Sequence, residues 1–143
     1  MPKVDKVGYG ELTPVKIEML SKILNMHLVI TQAVISRNSY FKRTYHYIDL
    51  TAGKGYSPDG KTKGSPLVLL DLVHSEKIRM PYKIDLIECE EKNYSELDSN
   101  VKKYCQQNGW DVRNIHLHRG NYEDIVKDIL PSKKRNGAWS YFC

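Results

Sequence analysis

A chain of 143 residues is long enough for one domain with a real core and too short for two. Its 41% hydrophobic and 27% charged composition excludes a disordered tail, and no uninterrupted apolar run reaches the ~18–20 residues that span a bilayer. The formal net charge of +5 permits contact with RNA or DNA without demonstrating it, and Met1-Pro2-Lys3-Val4-Asp5-Lys6 lacks the apolar segment of a signal peptide, so the expected location is cytoplasmic.

The spacing predicts a helix from about Pro14 to Val34. Thr13 is placed to cap it, Pro14 suits the first turn, and Glu18 and Lys22 form an i,i+4 pair. Ile17, Leu20, Leu24 and Leu28 form its inner stripe, which Ile23, Ile30 and Val34 are expected to widen. Tyr45 to Leu50 reads as the first strand. After a long polar loop, Ser65-Pro66 starts a second helix, with serine as cap and proline at the first helical position. Leu67 to Val73 is apolar almost all round, the mark of a helix buried on more than one side.

Tyr82 to Glu88 is the second strand. Glu91 to about Gln107 is the next helix, with Tyr94, Leu97, Val101 and Tyr104 on one face, Asp98 and Lys102 paired outside, and Asn108-Gly109 as its stop. A third strand begins at Asn114 to Leu117. Tyr122 to Leu130 is a further helix, with Ile125, Val126 and Ile129 inward and Pro131 ending it. Ala138 to Cys143 is a fourth strand. Strands alternating with helices imply an α/β fold: a Rossmann-like parallel sheet of four strands with right-handed crossovers. Residues 1–44 form an N-terminal helical part packing on the sheet, and 45–143 the sheet-bearing part.

The most informative stretch is Tyr47-Ile48-Asp49-Leu50-Thr51-Ala52-Gly53-Lys54-Gly55. A strand ends in an acid and runs into a turn with two glycines, which lets bare backbone approach a ligand as in nucleotide-type cofactor sites. The competing reading is an ordinary βα turn. Glu88 closes the second strand, where a carboxylate can take both hydroxyls of a ribose; favouring the next helix through its dipole is the alternative. Asn121 follows the third strand and can accept from an adenine amino group or simply cap a helix.

Gly55-Tyr56-Ser57-Pro58-Asp59-Gly60-Lys61-Thr62 matches the phosphate-loop pattern letter for letter, but the strand ends too early and the helix starts too late for such a loop. Cys89, Cys105 and Cys143 are far apart and without a CxxC pair, which argues against disulfides or zinc. The five histidines, His27, His46, His74, His116 and His118, have no ligand-set spacing. His116 and His118 alternate with Ile115 and Leu117 and so share one side of a strand. The basic run Lys133-Lys134-Arg135 reads as a solvated loop, or as a phosphate contact for nucleic acid.

Taken together, Asp49-Leu50-Thr51-Ala52-Gly53-Lys54-Gly55, Glu88 and Asn121 resemble the class I S-adenosylmethionine-dependent methyltransferases. Within that superfamily, Tyr47-Ile48-Asp49-Leu50 with Ala52-Gly53, the long polar insert, and Gly64-Ser65-Pro66-Leu67 are similar to the three-Cys-motif partner family. The resemblance implies S-adenosylmethionine as cofactor, with Asp49, Gly53 and Gly55 at its amino-acid end, Glu88 at its ribose and Asn121 at its base. Thr51, Ala52 and Cys89 join the implied cofactor-binding set, and no metal is implied.

Two departures bear on that expectation. Thr51 stands where the common pattern has its first glycine, and Tyr56 follows Gly55 where many relatives have a small or basic residue. The family's catalytic segment follows the fourth strand, which here is Trp139-Ser140-Tyr141-Phe142-Cys143, so the resemblance names no catalytic residue. It implies either a chain truncated after that strand or a homodimer through the strand's open edge. The functional expectation is the cofactor-binding portion of a methyltransferase acting on an acceptor such as nucleic acid. A non-catalytic interaction module of the same fold, or a nucleotide-binding protein using Gly55–Thr62, are the alternatives.

Overall fold

A computed structural model of the chain describes residues 13–37 and 44–130. The elements run α1 (Thr13–Arg37), β1 (Tyr45–Asp49), α2 (Ser65–Val73), β2 (Tyr82–Glu88), α3 (Glu91–Asn108), β3 (Ile115–Arg119) and α4 (Tyr122–Ile129). The strands form one parallel sheet in the order β1-β2-β3, each consecutive pair joined through a helix. The α/β class and the parallel sheet agree with the Rossmann-like expectation. The fourth strand at Ala138–Cys143, the Lys133-Lys134-Arg135 run and Cys143 lie outside the described residues.

The core fills one face of the sheet. Leu67, Leu69 and Leu70 of α2, Ile84 and Leu86 of β2, and Leu97, Val101 and Cys105 of α3 are almost completely buried there. α2 is apolar on nearly all sides because α1 and α3 both pack against it. At its far end α3 stops where the sequence predicts: Gly109 takes φ +68°, and Trp110 N donates to Cys105 O at 2.9 Å. Only glycine holds that left-handed turn at little cost.

Three expectations need correction. α1 runs past Val34 to Arg37, and its Ile23, Ile30 and Val34 do not widen the inner stripe; each is about half exposed, while Leu24 and Leu28 alone among its apolar side chains are buried. Second, Gly64 rather than Ser65 is the N-cap of α2, and no side chain caps that end. Ser65 Oγ instead donates to Asp49 Oδ2 at 2.6 Å. Third, α1 does reach a spanning length: 25 residues, with a window of mean hydropathy 1.2 that is only 11% buried. No single run shows this because its apolar residues are split between two faces. Leu24 and Leu28 in the core, and Gln32 Oε1 accepting from Met80 N at 3.0 Å, tie the helix to the domain.

Candidate functional site: the carboxyl rim of the sheet

The register of the first two strands sets the geometry. Asp49 lies opposite Leu86, so Glu88, two residues further on, projects to the same face and the same end of the sheet. Both carboxylates are nearly buried, and the glycine turn connects them. Ala52 N donates to Ile87 O at 2.9 Å, which carries the turn across the tip of β2. Gly53 N then donates to Glu88 Oε2 at 2.9 Å, and Glu90 N to Glu88 Oε1 at 3.0 Å. Asp49 accepts from Thr51 N at 3.1 Å on Oδ1 and from Ser65 Oγ on Oδ2.

Both Asp49 oxygens and Glu88 Oε2 thus hold one donor from the chain and keep a second lone pair, while Glu88 Oε1 also accepts from the Cys89 thiol at 3.8 Å. Burial raises the Asp49 pKa above the usual carboxylate value; the Ser65 and Thr51 hydrogen bonds oppose this, and the neighbouring Glu88 charge adds to it. Two acids held this close favour a cation, which would relieve both terms.

The two glycines divide the work. Gly53 has φ +66°, and a Cβ there would meet nothing within 4 Å, so open space lies over its backbone. Gly55 has φ +94° but is buried, and its Cβ would sit 3.5 Å from Asn100 Cβ. Its neighbour Lys54 O accepts from Asn100 Nδ2 at 2.7 Å. Gly55 therefore fits the turn against α3 rather than bordering a ligand. Ala52 is likewise a core residue, and Thr51 is exposed.

Asn121 sits at the same end, after Gly120, whose N–H donates to Glu88 O at 3.1 Å. Its side chain caps α4 by accepting from Glu123 N at 2.9 Å, the alternative that the sequence leaves open. Cys89 is an exposed free thiol beside the rim, with Sγ 3.8 Å from Glu88 Oε1.

The phosphate-loop match lacks the structure it requires. Tyr56 and Lys63 form an antiparallel bridge, and Ser57 N donates to Thr62 O at 2.8 Å. Lys61 N and Thr62 N, which would cradle a phosphate, donate at 3.0 Å to Asp59 Oδ1 and Ser57 Oγ respectively. The insert is a small closed hairpin.

A second cluster escapes the sequence reading. Asp85, at the centre of β2 and 1% exposed, projects to the opposite face of the sheet from the rim acids. His46 Nε2 on β1 lies 2.5 Å from its Oδ2, and His118 Nε2 on β3 lies 2.6 Å from its Oδ1. Lys83 Nζ stands 3.7 Å away. Burial would raise the Asp85 pKa, but the bonds to His46 and His118 and then the Lys83 charge outweigh it and hold the carboxyl at about 2. The signal in the sequence is an acid inside an apolar strand, flanked on both neighbouring strands by histidines.

This cluster opens on a cleft of about 490 Å³ between the sheet and α4, lined by Lys83, Asp85, His116, His118, Ile125 and Asp128 among others. A smaller cleft of about 200 Å³ lies by Tyr94 and Val112. Neither is lined by Asp49, Gly53 or Glu88. Among the described residues no group of three or more His, Cys, Asp or Glu is arranged to hold a metal ion. No protein-family model and no curated protein sequence matches the chain.

Proposed function

We propose that this chain is the cofactor-binding portion of an S-adenosylmethionine-dependent methyltransferase similar to the three-Cys-motif partner family. One observation carries the reading: Asp49 and Glu88 stand on adjacent parallel strands at one rim, joined through the Gly53 N–H, with open space above Gly53. That donor set fits the cofactor. Glu88 retains a lone pair on Oε2 for one ribose hydroxyl, a second hydroxyl would displace the weak Cys89 thiol bond on Oε1, and Asp49 meets an ammonium group in a setting that favours a positive ligand.

When bound, S-adenosylmethionine supplies a methyl group on an electrophilic sulfonium. The residues of the chain bind and orient it. Ser65 Oγ and Thr51 N hold the Asp49 carboxylate in place. Gly53 N and Glu90 N hold that of Glu88, so both acids are aimed before a ligand arrives. Gly53, lacking Cβ, leaves its backbone open to the amino-acid end of the cofactor. The formal charge of +5 supports nucleic acid as the acceptor class.

Titration calorimetry with S-adenosylhomocysteine tests the reading. We expect one site per chain, and at least a tenfold weaker site in Glu88→Gln, whose amide cannot accept on both ends. A folded chain that gives no binding heat at saturating ligand overturns it.

A further inference from the structure

We infer that α1 is a dimerisation helix that pairs with the same helix of a second copy of this chain. The helix carries two apolar faces. One holds Leu20, Leu24, Leu28 and Ile35 against the core. The other holds Val15, Met19, Ile23, Met26, Ile30 and Val34, each between 46% and 58% exposed. Glu18, Ser21, Lys22, Asn25 and Gln32 make a third, polar face, with Glu18 and Lys22 paired at 2.9 Å.

Spacing selects the occupant of the second apolar face. Met19, Ile23, Met26, Ile30 and Ala33 alternate steps of four and three residues, the seam of a coiled coil. Ile23 and Ile30 fall at the position where β-branched residues favour two strands, and Met19 and Met26 at the other seam position. A helix lying on a lipid surface needs a broad apolar face and gains nothing from a heptad register.

The area agrees. Six side chains about half exposed leave on the order of 600 Å² of apolar surface per copy, at the upper end of what a monomer ordinarily shows in one patch and approaching the ~800 Å² per partner of a standard interface. The aliphatic stem of Lys22 borders the seam and supplies part of the remainder. A twofold pairing buries the same stripe on both copies.

The test is the mass of the full chain by light scattering after gel filtration, between about 5 and 200 µM, since dimer mass follows protomer concentration. We expect twice the chain mass at the upper end. Ile23→Glu with Ile30→Glu should return the single-chain mass with unchanged circular dichroism. Where that pair prevents folding, Met26→Ser alone should raise the dimer Kd at least tenfold. A wild-type chain of single mass throughout the range overturns the proposal, as does a folded variant, of either kind, with undiminished dimer. Sedimentation of a monomeric chain with phosphatidylcholine–phosphatidylserine vesicles would assign the stripe to lipid and overturn it too.

Discussion

Replacing Asp85 by asparagine tests how much of the stability of this small sheet rests on one buried charge. The carboxyl is 1% exposed and titrates at about 2, against an ordinary value of 3.8. That depression is worth about 2 kcal/mol, present in full above the ordinary value and lost as pH falls from about 4 to about 2. The amide would keep the volume but could accept on only one end, so one imidazole N–H would face an amide donor. Asp85→Asn should lower the unfolding free energy by about 2 kcal/mol at pH 7, which for a domain of this size is a fall of about 7 °C in Tm. Urea titrations followed by tryptophan fluorescence, repeated from about pH 5 to pH 2, read both quantities. The wild-type curve should drop across the acid window, and the variant should lack that part of the drop. A variant within about 0.5 kcal/mol of wild type at pH 7, or one that keeps the whole acid limb, would show that the histidine bonds do not outweigh burial.

Asp49 carries the opposite sign. Its pKa is raised, chiefly by burial, so its charge costs stability at neutral pH and the cost disappears as pH falls through the raised value. Asp49→Asn should therefore hold or raise Tm by calorimetry while weakening S-adenosylhomocysteine binding at least tenfold. The two turn glycines should separate by their surroundings: Gly55→Ala, strained and packed on Asn100, should cost about 2 kcal/mol in denaturant titration, and Gly53→Ala, strained in open space, about 1 kcal/mol. Only the second should lower affinity for the cofactor directly. Asn121→Ala should remove about 1 kcal/mol from α4 through loss of its cap, seen as faster amide exchange in Glu123 and Asp124, with cofactor affinity changed little unless the side chain also reads the base.

The fold was legible wherever local chemistry and burial agree. β2 is found at Tyr82–Glu88 as expected, because a run buried at its centre has only one way to lie in a parallel sheet. Gly109 marks the end of α3 by the αL turn that it alone adopts cheaply. Asp49, Gly53 and Glu88 meet at one rim because strand-end positions follow from strand assignment. The misses share a different cause. Ser65 looks like a cap because capping is a local property, but its hydroxyl is taken by Asp49, sixteen residues earlier. Asp85 looks like an anomaly in β2 until β1 and β3 bring His46 and His118 alongside it, a pairing set by register. Ile23 and Ile30 look like core because periodicity registers apolar residues on a helix and cannot say that two faces, and not one, are apolar.

Charge placement separates the rim acids from Asp85. The chain carries a net +5, yet its two carboxylates at the tips of β1 and β2 have no lysine or arginine bonded to them among the described residues. Asp85, on the other face, is surrounded by two histidines and a lysine. A buried acid without a basic partner is costly unless something positive arrives, whereas one with partners is a structural tie. The two faces of the sheet thus hold carboxylates in different ways: Asp85 is tied to His46, His118 and Lys83 across the strands, while Asp49 and Glu88 are positioned by neutral donors, a setting that suits the proposed cationic cofactor. Replacing Asp49 by its amide should therefore hold or raise stability while weakening cofactor binding, and neutralising Asp85 should do the reverse, loosening the fold and leaving affinity, measured well below the melting temperature, within a few-fold of wild type.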